Sequence, residues 1–208
     1  MTIGVANVAT IGTASTTFAG AAVLMSLGAL AARVLLGAIF LQAGVQKLRH
    51  YEEWEGVVGN YRVLPFRLVP AFSRSVPVIE LGLAATLWFG QGPMATAGAT
   101  GSAAAAILLG FFSVAIGINL ARGRSHIDCG CFQSALRQQL SLSLLVRNGL
   151  LILIALTAFS GAAGRSLPTL TLAMAACLGG VCFVLYLALN ELVVRSRPTL
   201  TLPSLRRL

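Results

Sequence analysis

Two cysteines separated by a single glycine, Cys129 and Cys131, stand in a polar stretch that reads Arg122-Gly-Arg-Ser-His126-Ile-Asp128-Cys-Gly-Cys-Phe132. Cysteine ordinarily behaves as a small buried apolar residue, but this pair sits among charges. The thiolate is the reactive form, and Arg122, Arg124 and His126 favour it while Asp128 opposes it. A disulfide across one intervening residue closes a small ring away from relaxed geometry, so it is strained and easily reduced. Gly130 supplies the backbone freedom that such a ring needs. The chemistry that suits this pattern is thiol–disulfide exchange, with Cys129 and Cys131 as the exchanging pair and His126 tuning the thiolate. Two other readings fit the same residues. The thiols can stay reduced and inert, as in a cytoplasmic loop. Alternatively Cys129, Cys131 and His126 hold a metal, but these fall short of the four ligands of a structural zinc site. The chain offers no second ligand pair, so no metal is assigned.

Cys177 and Cys182 lie far downstream in an apolar run. Five residues turn a helix by about 140°, so the two do not share a face. They read as small packing residues, with an electron relay to Cys129 and Cys131 as the alternative. Glu80 and Arg147 are ionisable residues inside apolar segments. Such groups are costly in a bilayer and are usually paired. Each falls about two turns into its span from the same side, which predicts a Glu80–Arg147 ion pair, extended by Asn148. The pair is either an architectural lock or part of a proton or quinone pathway.

The elements that carry these residues follow from composition. Of 208 residues, 57% are hydrophobic and 10% are charged, against about 25% charged in soluble domains. The mean hydropathy is +0.85. No charge occurs in the 41 residues between Glu80 and Arg122, nor before Arg33. About 20 apolar residues cross a bilayer, so the 41-residue run reads as a helical hairpin. This excludes a soluble enzyme and a disordered tail protein. Five spans are predicted, over about 27–45, 72–89, 95–121, 140–159 and 168–194. Arg33 precedes Lys47 by fourteen residues, or about 21 Å along a helix, so it is expected to snorkel at the interface opposite the Lys47, Arg49 and His50 stop. Tyr51, Trp54, Val58 and Tyr61 recur at helical spacing and predict an amphipathic surface helix, broken by Pro65 and Pro70. Trp88 suits an interfacial belt. Gly98, Ser102, Ala106 and Gly110 repeat every four residues, as a packing face in lipid does.

The formal charge is +9. Its distribution points to the positive-inside rule rather than to nucleic acid. Twelve Lys and Arg fall in the loops after spans one and three and in the tail, against Arg165 and the in-span Arg33 on the other side. That predicts the N-terminus outside and the C-terminus in the cytoplasm. Residues 1–26 lack a basic n-region and are read as a loosely constrained extension, helical from Phe18, rather than as a signal peptide. Residues 27–195 form one membrane bundle, and 196–208 a basic tail.

Taken together, the motifs resemble those of the methylamine-utilisation MauE family, a branch of the DoxX-like membrane proteins. The matching pieces are Arg33 with Leu35-Leu36-Gly37, Gly44, Lys47-Leu48, Asn60-Tyr61-Arg62-Val63-Leu64-Pro65, Pro77, Glu80 and Gly82. Arg122-Gly123, Asp128-Cys129-Gly130-Cys131-Phe132 and Arg147-Asn148 complete the set. These cover roughly residues 30–150. Gln133 stands where the family usually has Gly. The resemblance implies an all-α polytopic bundle, a four-helix core plus a C-terminal span, in a bacterial inner membrane. It implies a role in processing or disulfide formation of an exported client, in that family the methylamine dehydrogenase small subunit, alongside a thioredoxin-like partner.

The resulting expectation is a membrane protein of thiol–disulfide redox or maturation type, with a quinone as one candidate electron carrier and no certain cofactor. The alternative is a non-catalytic scaffold that holds a partner complex through its small-residue face. A small-solute transporter is disfavoured, because the chain carries no inverted repeat or paired broken helices.

Overall fold

A computed structural model of the chain describes residues 6–124, 140–160 and 168–195. Among these residues the protein is all-helical. Helices α1 (Ala6–Arg49), α2 (Tyr51–Tyr61), α3 (Val69–Phe89), α4 (Ala95–Ala121), α5 (Leu142–Ser160) and α6 (Thr169–Arg195) follow in chain order. Five segments are long and apolar enough to cross a membrane: Val23–Arg49, Phe66–Phe89, Ala95–Ala121, Leu142–Ser160 and Thr169–Val193. The protein is a multi-pass membrane protein. Helix α1 starts at Ala6 rather than at Phe18. No proline occurs before Pro65 to interrupt it.

Helices α1, α3, α4 and α5 enclose the main core. Leu36 and Phe40 of α1 meet Ala84 and Leu87 of α3, Ala105 and Leu109 of α4, and Leu151 and Ala155 of α5. Helix α6 packs mainly along α1, where Gly179 lies against Ala31 and Val34. Its outer residues, among them Leu178, Val181, Leu185 and Leu192, are exposed, as lipid-facing residues are.

Close helix approaches explain several small residues. A Cβ on Gly98 would run into the Gly90 carbonyl, and one on Gly101 into the Thr86 side chain. The α3–α4 hairpin therefore closes backbone to backbone at its turn. The expected small-residue face is only partly used. Gly98 and Ser102 are buried, but the buried stripe continues through Ala105 and Leu109, while Gly110 has open space around it. A spacing of four drifts around a 3.6-residue helix, so the stripe moves off Ala106 and Gly110. Trp88 is likewise not a free interfacial anchor. Its indole lies over Gly37 and its Nε1 donates to Val34 O at 3.2 Å, fastening α3 to α1.

Helix α2 is amphipathic as predicted, but its aromatic face turns toward protein. Trp54 and Val58 are buried while Glu52 and Glu53 are exposed. Trp54 Nε1 donates to Ser73 O at 3.1 Å, and Tyr51 Oη to Pro70 O at 3.4 Å. The helix ends where Arg62 takes a left-handed conformation, φ 47°. Pro70 falls in the first turn of α3, where its missing N–H costs nothing.

Candidate functional site

The bundle carries buried charge at both ends. At one end lies Arg33, only 3% exposed. It does not snorkel outward. Its Nη1 donates to Gly90 O at 3.1 Å, and its Nε and Nη2 donate to Ala158 O at 3.3 and 3.2 Å. Both acceptors lie at helix C-termini, where carbonyls lack intrahelical partners and the dipole is negative. One guanidinium thus satisfies the ends of α3 and α5 together, its planar fork of donors matching two acceptors.

At the other end, Lys47 Nζ donates to Glu80 Oε1 at 2.6 Å, with side-chain exposures of 5% and 2%. The sequence matched Glu80 with Arg147. In the structure Glu80 is held by Lys47, and Arg147 Nη1 donates to Asn190 Oδ1 at 3.3 Å. Gly44 sits against the Pro77 carbonyl, and this close crossing of two antiparallel helices lets the long Lys47 side chain reach along α3 to Glu80. Lys47 and Glu80 each follow that contact by three residues, on the same helix faces. Lys47 is therefore not a headgroup stop. Its ammonium also stands 5.0 Å from the Trp54 ring centre and 5.7 Å from that of Phe112, within cation–π range. Asn148 is buried, 2% exposed, as is Asn119, whose Nδ2 donates to Ala115 O at 3.0 Å.

Cys129, Cys131 and His126 lie outside the described residues. The points where the chain leaves and re-enters the bundle around them are well defined. Helix α4 ends at Gly123, φ +71°, with Gly123 N donating to Leu120 O and Arg124 N to Asn119 O, both at 3.0 Å. Arg122 and Arg124 then reach across to α2's exit, donating to Arg62 O at 3.5 Å and Asn60 O at 3.4 Å. On return, Leu140 is 2% exposed and packs with Ile116, Leu144 and Tyr61. Both flanks are thus tied to the end that holds Lys47 and Glu80. Cys177 is exposed on α6, and Cys182 is partly buried against the main core.

The model for the family described as methylamine utilisation protein MauE matches residues 25–161. The chain belongs to the MauE family. The match runs from the start of the first span past α5, so it includes Arg33, Lys47, Glu80, Cys129, Cys131 and Arg147, and it stops before α6 with Cys177 and Cys182. Among curated relatives, methylamine utilization protein MauE of Paracoccus denitrificans is 43% identical over 131 residues, 63% of this chain and 68% of that protein. The Paracoccus versutus protein of the same name is 39% identical over 163 residues, 78% of this chain and 85% of that protein. That of Methylorubrum extorquens is 42% identical over 123 residues, 59% and 63% of the two chains. No solved structure matches the chain.

Arg33 and Lys47 are the site residues that sequence reasoning underrated. The signal for Lys47 was present: it follows Gly44 on the α1 face that also carries Gly37, and small residues mark where helices approach. For Glu80 the buried series Val76, Pro77, Glu80, Leu83, Ala84 and Leu87 places it in line with the core face.

Proposed function

We propose that this chain is a membrane thiol–disulfide redox protein that assists disulfide formation in an exported partner of methylamine utilisation. The observation that carries the reading is the sequence Cys129-Gly130-Cys131 itself, a one-residue spacing that follows Arg122, Arg124 and His126 in a polar stretch. A disulfide across one residue is strained and easily reduced, and guanidinium groups close to a thiol favour the thiolate. The names of the relatives supply the metabolic context.

In the oxidising direction, the Cys129–Cys131 disulfide is attacked by a partner thiolate and passes through a mixed disulfide. The partner gains a disulfide, and Cys129 and Cys131 become thiols carrying two electrons and two protons. A membrane quinone, reduced to quinol, takes these and restores the pair. The partner is a thioredoxin-like carrier or the client itself. The charge bias supports an inner-membrane orientation with the N-terminus outside and the C-terminus in the cytoplasm. With the pair on the cytoplasmic side, electrons leaving an exported client cross the bilayer to reach it; Cys177 and Cys182 read first as packing residues and second as relays on that route.

The deciding experiment is trapping. Cys129→Ser or Cys131→Ser is expected to accumulate a mixed disulfide with a partner. Absence of any adduct together with full client maturation overturns the reading. Membrane-impermeant maleimide on intact cells, in a Cys177→Ala/Cys182→Ala background, then reports the side: labelling that needs prior reduction from outside gives a periplasmic disulfide and reverses the proposed orientation.

A further inference from the structure

Arg122 and Arg124 come off the end of α4, and their side chains reach the last carbonyls of α2, Arg62 O at 3.5 Å and Asn60 O at 3.4 Å. A guanidinium has five N–H donors, so most donors of each remain available. Arg62 and Arg122 are exposed, as is Arg67 on the connector that follows α2. No described carboxylate pairs with any of these four arginines. The acidic residues of α2 lie in its first half, the last of them, Glu55, seven residues before Arg62, or about 10 Å along the axis. Arg62 is also the one non-glycine residue of positive φ, 47°, among the described residues. Glycine makes such a turn without strain, so an arginine there points to a use for its side chain.

Depth narrows the choice of ligand. The spanning segments Phe66–Phe89 and Ala95–Ala121 both have an end at this corner. Arg62, Arg122 and Arg124 lie within four residues of those ends, which is headgroup level. Beside them Val63, Phe66 and Leu68 expose apolar surface, Phe66 at 86%. Phosphate matches the charged part, because guanidinium forks bind its oxygens in pairs. Acyl chains match the apolar part. Two of the guanidiniums are already held by α2 carbonyls, so less side-chain freedom is lost on binding. We propose that this corner binds the phosphate of an anionic phospholipid, with Arg62, Arg122 and Arg124 around the phosphate and Phe66 against an acyl chain. A zwitterionic lipid brings its own cation to a place already in positive surplus. An acidic protein answers the charges but not the exposed Phe66 and Leu68 at the edge of the hydrocarbon. One phosphate leaves the corner net positive, so the thiolate reading above is unaffected, and the proposal does not rest on it.

The test is native mass spectrometry of the full chain in detergent, titrated with dioleoyl phosphatidylglycerol or dioleoyl phosphatidylcholine, which share their acyl chains. Phosphatidylglycerol is expected to bind about tenfold more tightly, the scale that a few arginines set at a charged surface. Arg122→Gln/Arg124→Gln is expected to bring it down to the phosphatidylcholine level. Arg49→Gln/Arg195→Gln removes the same charge from the ends of α1 and α6 and is expected to change nothing. Arg62→Gly relieves the positive φ, so it is expected to keep or raise thermal stability while still weakening phosphatidylglycerol binding. Phe66→Ser is expected to weaken both lipids. Equal binding of the two lipids overturns the site, as does equal loss in the two double variants. Displacement of the lipid by inorganic phosphate with no effect of Phe66→Ser also overturns it, in favour of a free-phosphate site. No lipid preference, together with an acidic protein released by Arg122→Gln/Arg124→Gln, overturns it in favour of a protein partner.

Discussion

Lys47 and Glu80 meet at 2.6 Å across the antiparallel α1–α3 crossing at which Gly44 lies against Pro77. Both side chains are buried, 5% and 2% exposed. The pair is mutually dependent: removing either partner takes from the other the ion pair with which it is buried. Lys47→Met or Glu80→Gln alone is expected to cost about 3–5 kcal/mol. The double substitution is expected to cost much less than the sum. Denaturant unfolding in micelles across the full double-mutant cycle checks this, and simple additivity would mean that the pair is not coupled.

Arg33 is expected to behave as a structural cap for two helices. Arg33→Leu removes three hydrogen bonds from the carbonyls of Gly90 and Ala158. The loss is expected to be about 2–3 kcal/mol, the range for a bond to a charged donor. Arg33→Lys keeps the charge but not the fork, and is expected to fall between. Hydrogen exchange at the C-terminal turns of α3 and α5 is the direct readout, with faster exchange expected in both helices and not in one.

Gly98 and Gly110 look equivalent in sequence, but their surroundings differ. Gly98→Ala drives a methyl group toward the Gly90 carbonyl and the Arg33 side chain, whereas nothing stands within 4 Å of a Cβ on Gly110. The first is expected to cost about 1–3 kcal/mol and the second almost nothing, measured as the shift in thermal inactivation. The contrast also bears on the scaffold alternative. Gly98 and Ser102 are consumed by packing within the chain, so a partner cannot use them.

Cys177→Ala and Cys182→Ala separate packing from relay. Cys177 projects from the outer side of α6 and Cys182 rests against the main core. If electrons pass through them, partner oxidation falls in either variant while unfolding stability is unchanged. As packing residues, Cys182→Ala lowers stability slightly and partner oxidation is unaffected in both; this second outcome is the expected one. Rates of disulfide formation in the partner, measured beside unfolding, distinguish them.

How far the fold was legible is clear from individual spans. The charge-free run between Glu80 and Arg122 identified the α3–α4 hairpin, and the span expected over 95–121 matches α4 at both ends. Lipid enforces this, since a spanning segment must be apolar along its whole length. Lys47 was not legible as a partner of Glu80. Lys47 being Glu80's partner follows from which faces of α1 and α3 meet, and that depends on Gly44 and Pro77 coming into contact. Arg33 was misread for a related reason: a cation near a span end has two ways to be satisfied, by headgroups or by exposed carbonyls of neighbouring helices, and only the packed bundle distinguishes them.

The Arg33 bonds to Ala158 join residues 125 positions apart in the chain. During synthesis, then, the first span enters the bilayer long before α5 exists to receive its guanidinium, and before α3 can offer Glu80 to Lys47. A cation at the centre of an inserting helix costs about 2.5–3.5 kcal/mol on the translocon scale. The first helix is thus a poor permanent resident of lipid by itself. It becomes stable in stages, when α3 arrives for Lys47 and again when α5 arrives for Arg33, so chains truncated before Ala158 leave this helix incompletely held and open to membrane quality-control proteases.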